Sequence, residues 1–234
     1  MILQIPSEVI AQVADTIATA TAEAPQVVEM NYLDLAMKGG PIIMIPLLIL
    51  SIVAVYIFIE RLVVIHKASE EDKYFMARIK DFISDGKIED ATKLCQNVNT
   101  PYSRMIEKGI SRIGKPMNDI LVAIENVGNI ETTKLEKGFS MLATISGGAP
   151  MLGFLGTVLG MVQAFFDMAN AGNNVDITIL SNGIYTAMIT TVAGLIVGIV
   201  AYFAYNYLVS KLDSVVQKME QKTMEFMDML NEPK

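Results

Sequence analysis

Four polar side chains crowd into seven residues of an otherwise apolar run: Tyr185, Thr186, Thr190 and Thr191. A fifth, Thr157, lies inside a second such run, Gly153-Phe154-Leu155-Gly156-Thr157-Val158-Leu159-Gly160. A hydroxyl carries one donor and two acceptor lone pairs, so it can pass a hydrogen bond in either direction. It does not ionise near neutral pH. It can line a hydrated path, or with backbone carbonyls hold an alkali cation, without trapping a proton. These residue types therefore point to passage of an ion rather than to bond chemistry. The rival reading is that each threonine bonds its own helix backbone and serves packing alone.

The absences narrow the chemistry further. Residues 39–59, 138–166 and 177–210 contain no Asp, Glu, Lys, Arg or His. Moving protons through a membrane usually needs a buried titratable group; if this chain conducts protons, the carboxylate must come from another chain. Cys95 and His66 are the only residues of their types; neither has metal-ligand spacing around it, and both read as structural. There is no nucleophile–base pair, metal site or phosphate loop, which excludes an enzyme and implies no cofactor and no metal. No basic cluster with interleaved aromatics supports nucleic-acid binding.

The elements that must position the hydroxyls are membrane helices. Apolar residues make up 52% of the chain and charged residues only 18%, against about a quarter charged in soluble proteins. Each uncharged stretch exceeds the ~20 residues that cross a ~30 Å bilayer core. The fold class is all-α: a polytopic membrane protein with three transmembrane helices and long helical extensions. The expected divisions are a segment 1–38, spans 39–59, 138–166 and 177–208, a helical domain 60–137, a loop 167–176 and a C-terminal helix 209–234. In the first segment Ile2, Ile5, Val9, Ile10, Val13 and Ile17 have near-helical spacing, as in an amphipathic helix on a membrane surface; a frayed tail is the alternative.

Basic residues next to spans stay on the cytoplasmic side. Only Lys38 precedes the first span; Arg61, Lys67, Lys134 and Lys137 flank the large connection, and Lys211, Lys218 and Lys222 follow the third span. This predicts an outside N-terminus, the large connection and C-terminus inside, and Glu60-Arg61 closing span one at the cytoplasmic edge. Turn signals stand at Asp85-Gly86, Asn99-Thr100-Pro101 and Gly114-Lys115-Pro116. From residue 117 through 146 only Gly128 and Gly138 interrupt the helical pattern, so span two is expected to start as one long helix inside the cell. Leu208, Leu212, Val215, Val216, Met219, Phe226 and Leu230 carry an apolar stripe beyond span three, which needs partner helices.

Spans two and three are built to approach closely. Gly153, Gly156, Thr157 and Gly160 share one face; Gly183, Ala187, Gly194 and Gly198 make a second small face. Pro150 removes one backbone donor and frees the Ser146 carbonyl, a break tolerated where neighbouring groups satisfy it.

These residues resemble the MotA/TolQ/ExbB proton-channel family, in its three-span ExbB/TolQ branch. The likeness rests on Gly39-Gly40-Pro41 and Pro46-Leu47-Leu48, on Ile59-Glu60-Arg61, and on Leu142-Ala143-Thr144-Ile145 with Ala149-Pro150. It continues through the glycine-threonine run above and Thr190-Thr191-Val192-Ala193-Gly194-Leu195. The resemblance implies an ExbB-like subunit of a bacterial (Gram-negative) inner membrane, in a homopentamer around an ExbD/TolR-like single-pass partner that supplies an intramembrane Asp. Proton flow would drive a TonB/TolA-like protein that energises transport across the outer membrane. Thr157 and Thr191 match pore-lining threonines of the family. Where relatives commonly read Gly-Ile-x-Glu-Ala, this chain reads Gly183-Ile184-Tyr185-Thr186-Ala187. Thr186 thus replaces an acid, which places proton binding on the partner and leaves room for Na⁺.

Overall fold

The computed structural model describes residues 40–70, 72, 74–170 and 177–231, the first three of the last stretch by backbone only. The expected amphipathic helix within 1–38 lies outside these residues. All regular structure among the described residues is helical: α1 (Pro41–Ala68), α2 (Phe75–Ser84), α3 (Ile88–Val98), α4 (Pro101–Ile110), α5 (Met117–Leu135), α6 (Phe139–Asn170) and α7 (Ile177–Asn231). Among the described residues three stretches of helix, Pro41–Ala68 (α1), Met117–Asn170 (α5 and α6) and Leu180–Asn231 (in α7), are long and apolar enough to cross a membrane.

α1 begins where Pro41 can take a first-turn position without losing a helical hydrogen bond. Its buried residues, Leu47, Ala54, Arg61, Ile65 and Ala68, fall at helical multiples and form one narrow stripe. That stripe rests on α6 and α7, while Ile45, Leu48, Ile52, Tyr56 and Ile59 stay exposed on the opposite side. The helix does not stop at Glu60-Arg61. It runs about two further turns to Ala68, and Arg61 is itself packed inside, only 7% exposed.

The helices between α1 and α6 end at their turn residues. Gly86 and Gly114 have positive φ, and Asn99 takes the left-handed conformation at φ 48°. Thr100 caps α4 in a reciprocal pair: its hydroxyl accepts from the Ser103 amide at 3.4 Å, while the Ser103 hydroxyl accepts from the Thr100 amide at 2.9 Å. Such a cap is worth about 1 kcal/mol. The core beneath them joins Phe75, Ile79, Cys95, Ile106, Ile110 and Ile124 to Met219 and Phe226 of α7. α4 settles against α5 and α7 at Gly109, where a Cβ would come within 2.6 Å of the Phe226 ring.

The single long helix expected through residues 117–146 is interrupted. α5 ends at Leu135 and α6 starts at Phe139, with Gly138 at φ 90° between them. Only glycine adopts that backbone without strain. α7, in contrast, is unbroken over 55 residues, about 80 Å. Its stripe of Leu208, Leu212, Val215, Met219 and Phe226 is buried against α1, α2, α4 and α5 of the same chain. Each large apolar side chain so buried contributes roughly 1.5–3 kcal/mol.

Candidate functional site

α6 and α7 form the most extensive helix pair of the molecule, and its closeness follows from missing side chains. A Cβ on Gly194 would lie 2.6 Å from the Ala149 carbonyl oxygen and 2.8 Å from the Gly153 Cα. One on Gly153 would lie 2.8 Å from the Thr190 carbonyl oxygen, and one on Gly160 2.9 Å from the Ala187 Cβ. A Cβ on Gly156 would collide with the Thr190 hydroxyl, and one on Gly183 with Ala164. Helices in lipid associate through such contacts, since lipid tails provide no hydrophobic drive between them. Pro150 belongs to the same seam. α6 continues through it, and its ring occupies the notch left by Gly198, where a Cβ would also lie 3.0 Å from the Ser146 carbonyl oxygen.

The glycine contacts set the register that brings three threonines together. The Thr157 and Thr191 hydroxyl oxygens are 2.7 Å apart across the seam. Thr157 also lies 2.8 Å from the Phe154 carbonyl oxygen, and Thr191 3.1 Å from that of Gly153. Each hydroxyl has one proton. If both donated to carbonyls, the short oxygen–oxygen contact would hold no hydrogen. One hydroxyl therefore donates across the seam, and the pair has two proton arrangements that differ only by rotation about two C–O bonds. Thr190 is 2% exposed; its hydroxyl donates to the Ala187 carbonyl at 2.7 Å, with the Gly153 carbonyl oxygen at 3.3 Å. The packing role weighed for these threonines describes Thr190 best, while Thr157 and Thr191 keep partial exposure.

Thr186 is partly buried one turn before Thr190 and lines a cavity of about 390 Å³ with Gln163, Asp167 and Asn182. Tyr185 stands beside it on an exposed face of α7, 37% exposed. Glu60 and Arg61 do not join this constellation. They sit where α1 meets α5: Arg61 donates to the Glu60 carboxylate at 2.5 Å and to the Lys134 carbonyl at 3.3 Å. Close by in α5, Glu131 is 3% exposed and receives Arg104 and Lys134. Burial pushes its carboxyl up, but the two cations outweigh burial and hold it below the usual range. Among the described residues no cluster of three His, Cys, Asp or Glu side chains could hold a metal ion.

The profile of the MotA/TolQ/ExbB proton channel family matches residues 97–221, a range that contains α6 and the seam. The chain belongs to that family. It is 28% identical over 195 residues to an ExbB homologue of Methanothermobacter thermautotrophicus, covering 81% of this chain and 67% of that protein. It is 26% identical over 188 residues to the biopolymer transport protein ExbB of Neisseria meningitidis, covering 73% and 84%. It is also 26% identical over 223 residues to the Tol-Pal system protein TolQ of Haemophilus influenzae, covering 87% and 95%. As a family member it is a helical membrane protein of the proton-channel type, and the threonine pair lies where its two glycine-rich spans touch.

Three residues of the cavity, Gln163, Asp167 and Asn182, are absent from the candidates drawn from sequence. The signal that finds Asp167 is the α6 stripe itself: Gly153, Thr157, Gly160, Ala164 and Asp167 follow in steps of four, three, four and three. That stripe simply continues past Thr157.

Proposed function

We propose that this chain is the ring-forming subunit of an inner-membrane motor that uses the proton motive force. In this reading copies assemble as a homopentamer around an ExbD/TolR-like single-pass partner whose intramembrane Asp carries the proton. A TonB/TolA-like protein takes up the resulting motion and energises TonB-dependent transport across the outer membrane. The basic end of the helices, with Arg61 and Lys134, faces the cytoplasm together with the C-terminus; the opposite end of α6 and the N-terminus face the periplasm. Not being an enzyme, the chain contributes a lining: Thr157 and Thr191, then Thr186 and Tyr185, with Thr190 bracing them from inside the seam.

The observation that carries this reading is the 2.7 Å contact between the Thr157 and Thr191 hydroxyls in spans that hold no acid or base. A reversible hydroxyl pair can relay hydrogen bonds with water and with an incoming carboxyl, but it cannot store a proton. The available energy is about 2.3 kcal/mol per charge per 100 mV, which suits small rotations. The test is proton flux into proteoliposomes that contain this chain with a single-pass partner. Flux is expected only with both proteins, and Asn in place of the partner's membrane Asp should abolish it. Flux from this chain alone would refute the reading. No flux with any partner or cation would favour a non-conducting scaffold. Flux that follows Na⁺ when Na⁺ replaces K⁺ would reassign the coupling ion, a choice that Thr186 in the acid's place keeps open. Loss of nutrient uptake, as against envelope constriction, in a strain without the protein separates the ExbB-like from the TolQ-like role.

A further inference from the structure

The polar seam extends beyond the threonines toward the end of α6 remote from Arg61. Asp167 is ten residues past Thr157, about 15 Å along the helix and about 80° around its axis. Here α6 and α7 flank the cavity of about 390 Å³, whose polar lining is Thr186, Gln163, Asp167 and Asn182. The Gln163 amide donates to Asp167 Oδ1 at 2.8 Å, which orients the carboxylate yet uses only one of its roughly four acceptor positions. Asn182 adds an amide oxygen and Thr186 a hydroxyl. Among the described residues no Lys or Arg lines the cavity. Oxygen ligands around the fixed charge of Asp167 are the chemistry that attracts a hydrated monovalent cation, hydronium or Na⁺, and that repels anions.

We infer that Asp167, with Gln163, Asn182 and Thr186, forms the cation-collecting mouth of the pathway: it concentrates the coupling cation at the far end of the seam and passes it to the threonine pair. This rests on the ion-pathway reading above. Gln163, Asp167 and Asn182 are exposed, so the carboxylate acts through its field: fixed negative charge beside an ion path raises local cation concentration and arrival rates by about tenfold or more at low salt, and copies arranged in a ring would multiply that field. The amides orient and hydrate rather than bind permanently, as a site that must release its cation requires.

The experiment compares the full chain with its Asp167→Asn, Asp167→Glu and Thr157→Val variants, each reconstituted with the single-pass partner. Flux is measured at about 0.01 M and 0.5 M salt, where screening lengths fall from about 30 Å to a few ångströms. Asp167→Asn should reduce flux about tenfold at low salt and much less at high salt, Asp167→Glu should retain most of it, and both should elute as assembled complexes. Wild-type-like flux in Asp167→Asn at low salt, with Thr157→Val impaired, overturns the mouth while the pathway stands. An equal loss at both salt concentrations also overturns it, because the residue would then act by shape and not by charge. Unimpaired flux in Thr157→Val, or none in the wild type, removes the pathway and its mouth together.

Discussion

The Thr157 and Thr191 hydroxyl oxygens meet at 2.7 Å between two helices, at a point where Gly153 and Gly194 bring the backbones into contact. The bond depends on the close approach that the glycines allow. Packing and hydrogen bonding are here one structure, so they must be separated by choosing variants that disturb only one.

Thr157→Val keeps the shape and removes the hydroxyl. An interhelical hydrogen bond in a membrane protein is worth about 0.6–2 kcal/mol, so the solubilised protein should lose only about that much stability. Flux with the partner should fall by about tenfold, the factor that 1.4 kcal/mol represents in a rate. Thr191→Val should do the same, and the double variant should be little worse than either single one. Additive losses in thermal unfolding or in flux would show that the hydroxyls act independently.

Gly194→Leu inserts a side chain where even a Cβ would be 2.6 Å from the Ala149 carbonyl oxygen. The α6–α7 pair should separate, and the protein should fail to elute as a defined species in mild detergent. Gly147→Ala is the control, since a Cβ there meets nothing within 4 Å; it should match the wild type in elution and in unfolding temperature.

Glu131→Gln tests the buried charge cluster that links α4 to α5. The folded-state carboxyl titrates below its usual range, because Arg104 and Lys134 outweigh burial. A depressed carboxyl stabilises the fold fully above its unfolded pKa of about 4.3, and loses that contribution as pH falls through the lower folded value. Hydrogen bonds to charged groups are worth about 1.5–3 kcal/mol. Wild type should therefore exceed the variant by that order at pH 7, with the gap closing only below about pH 4.3. Unfolding monitored by circular dichroism between pH 3.5 and 8 checks both the size and the window.

Cys95 is fully buried, and burial followed by the nearby Glu107 charge pushes its thiol up to about 12. At pH 8 roughly one thiol in ten thousand is ionised, and only the thiolate reacts readily. Labelling with iodoacetamide should be negligible in the folded protein and complete within minutes in denaturant. Rapid labelling under native conditions would place α3 away from the core that holds it.

Much of the architecture was legible from residue order. Uncharged runs longer than a bilayer reveal the spans without reference to any partner, because desolvating a charge in lipid is costly. Asn99-Thr100-Pro101 and Gly114-Lys115-Pro116 mark helix ends through local backbone preference alone. The small faces of α6 and α7 follow from a 3.6-residue repeat, and so does the nomination of Thr157, Thr186, Thr190 and Thr191 as a hydroxyl group. Gly138 was harder: a glycine within a helical pattern can continue or break it, and here it breaks it at φ 90° between the buried Leu135 and Phe139.

Tertiary structure alone decided which hydroxyls meet. Periodicity assigns a residue to a face, but it says nothing about the axial shift between two helices or which neighbour covers that face. Steric contact at Gly153, Gly156 and Gly194 sets that shift, pairing Thr157 with Thr191 and enclosing Thr190. The same holds for Arg61, expected to reach water or pair at the end of span one and found buried, paired with Glu60 and bonded to the Lys134 carbonyl of α5, and for Asp167, an unremarkable acid at the end of a span until α7 places Asn182 and Thr186 beside it. Residue order determines what each helix offers; close packing, which acts between residues far apart in sequence, determines what each offer meets.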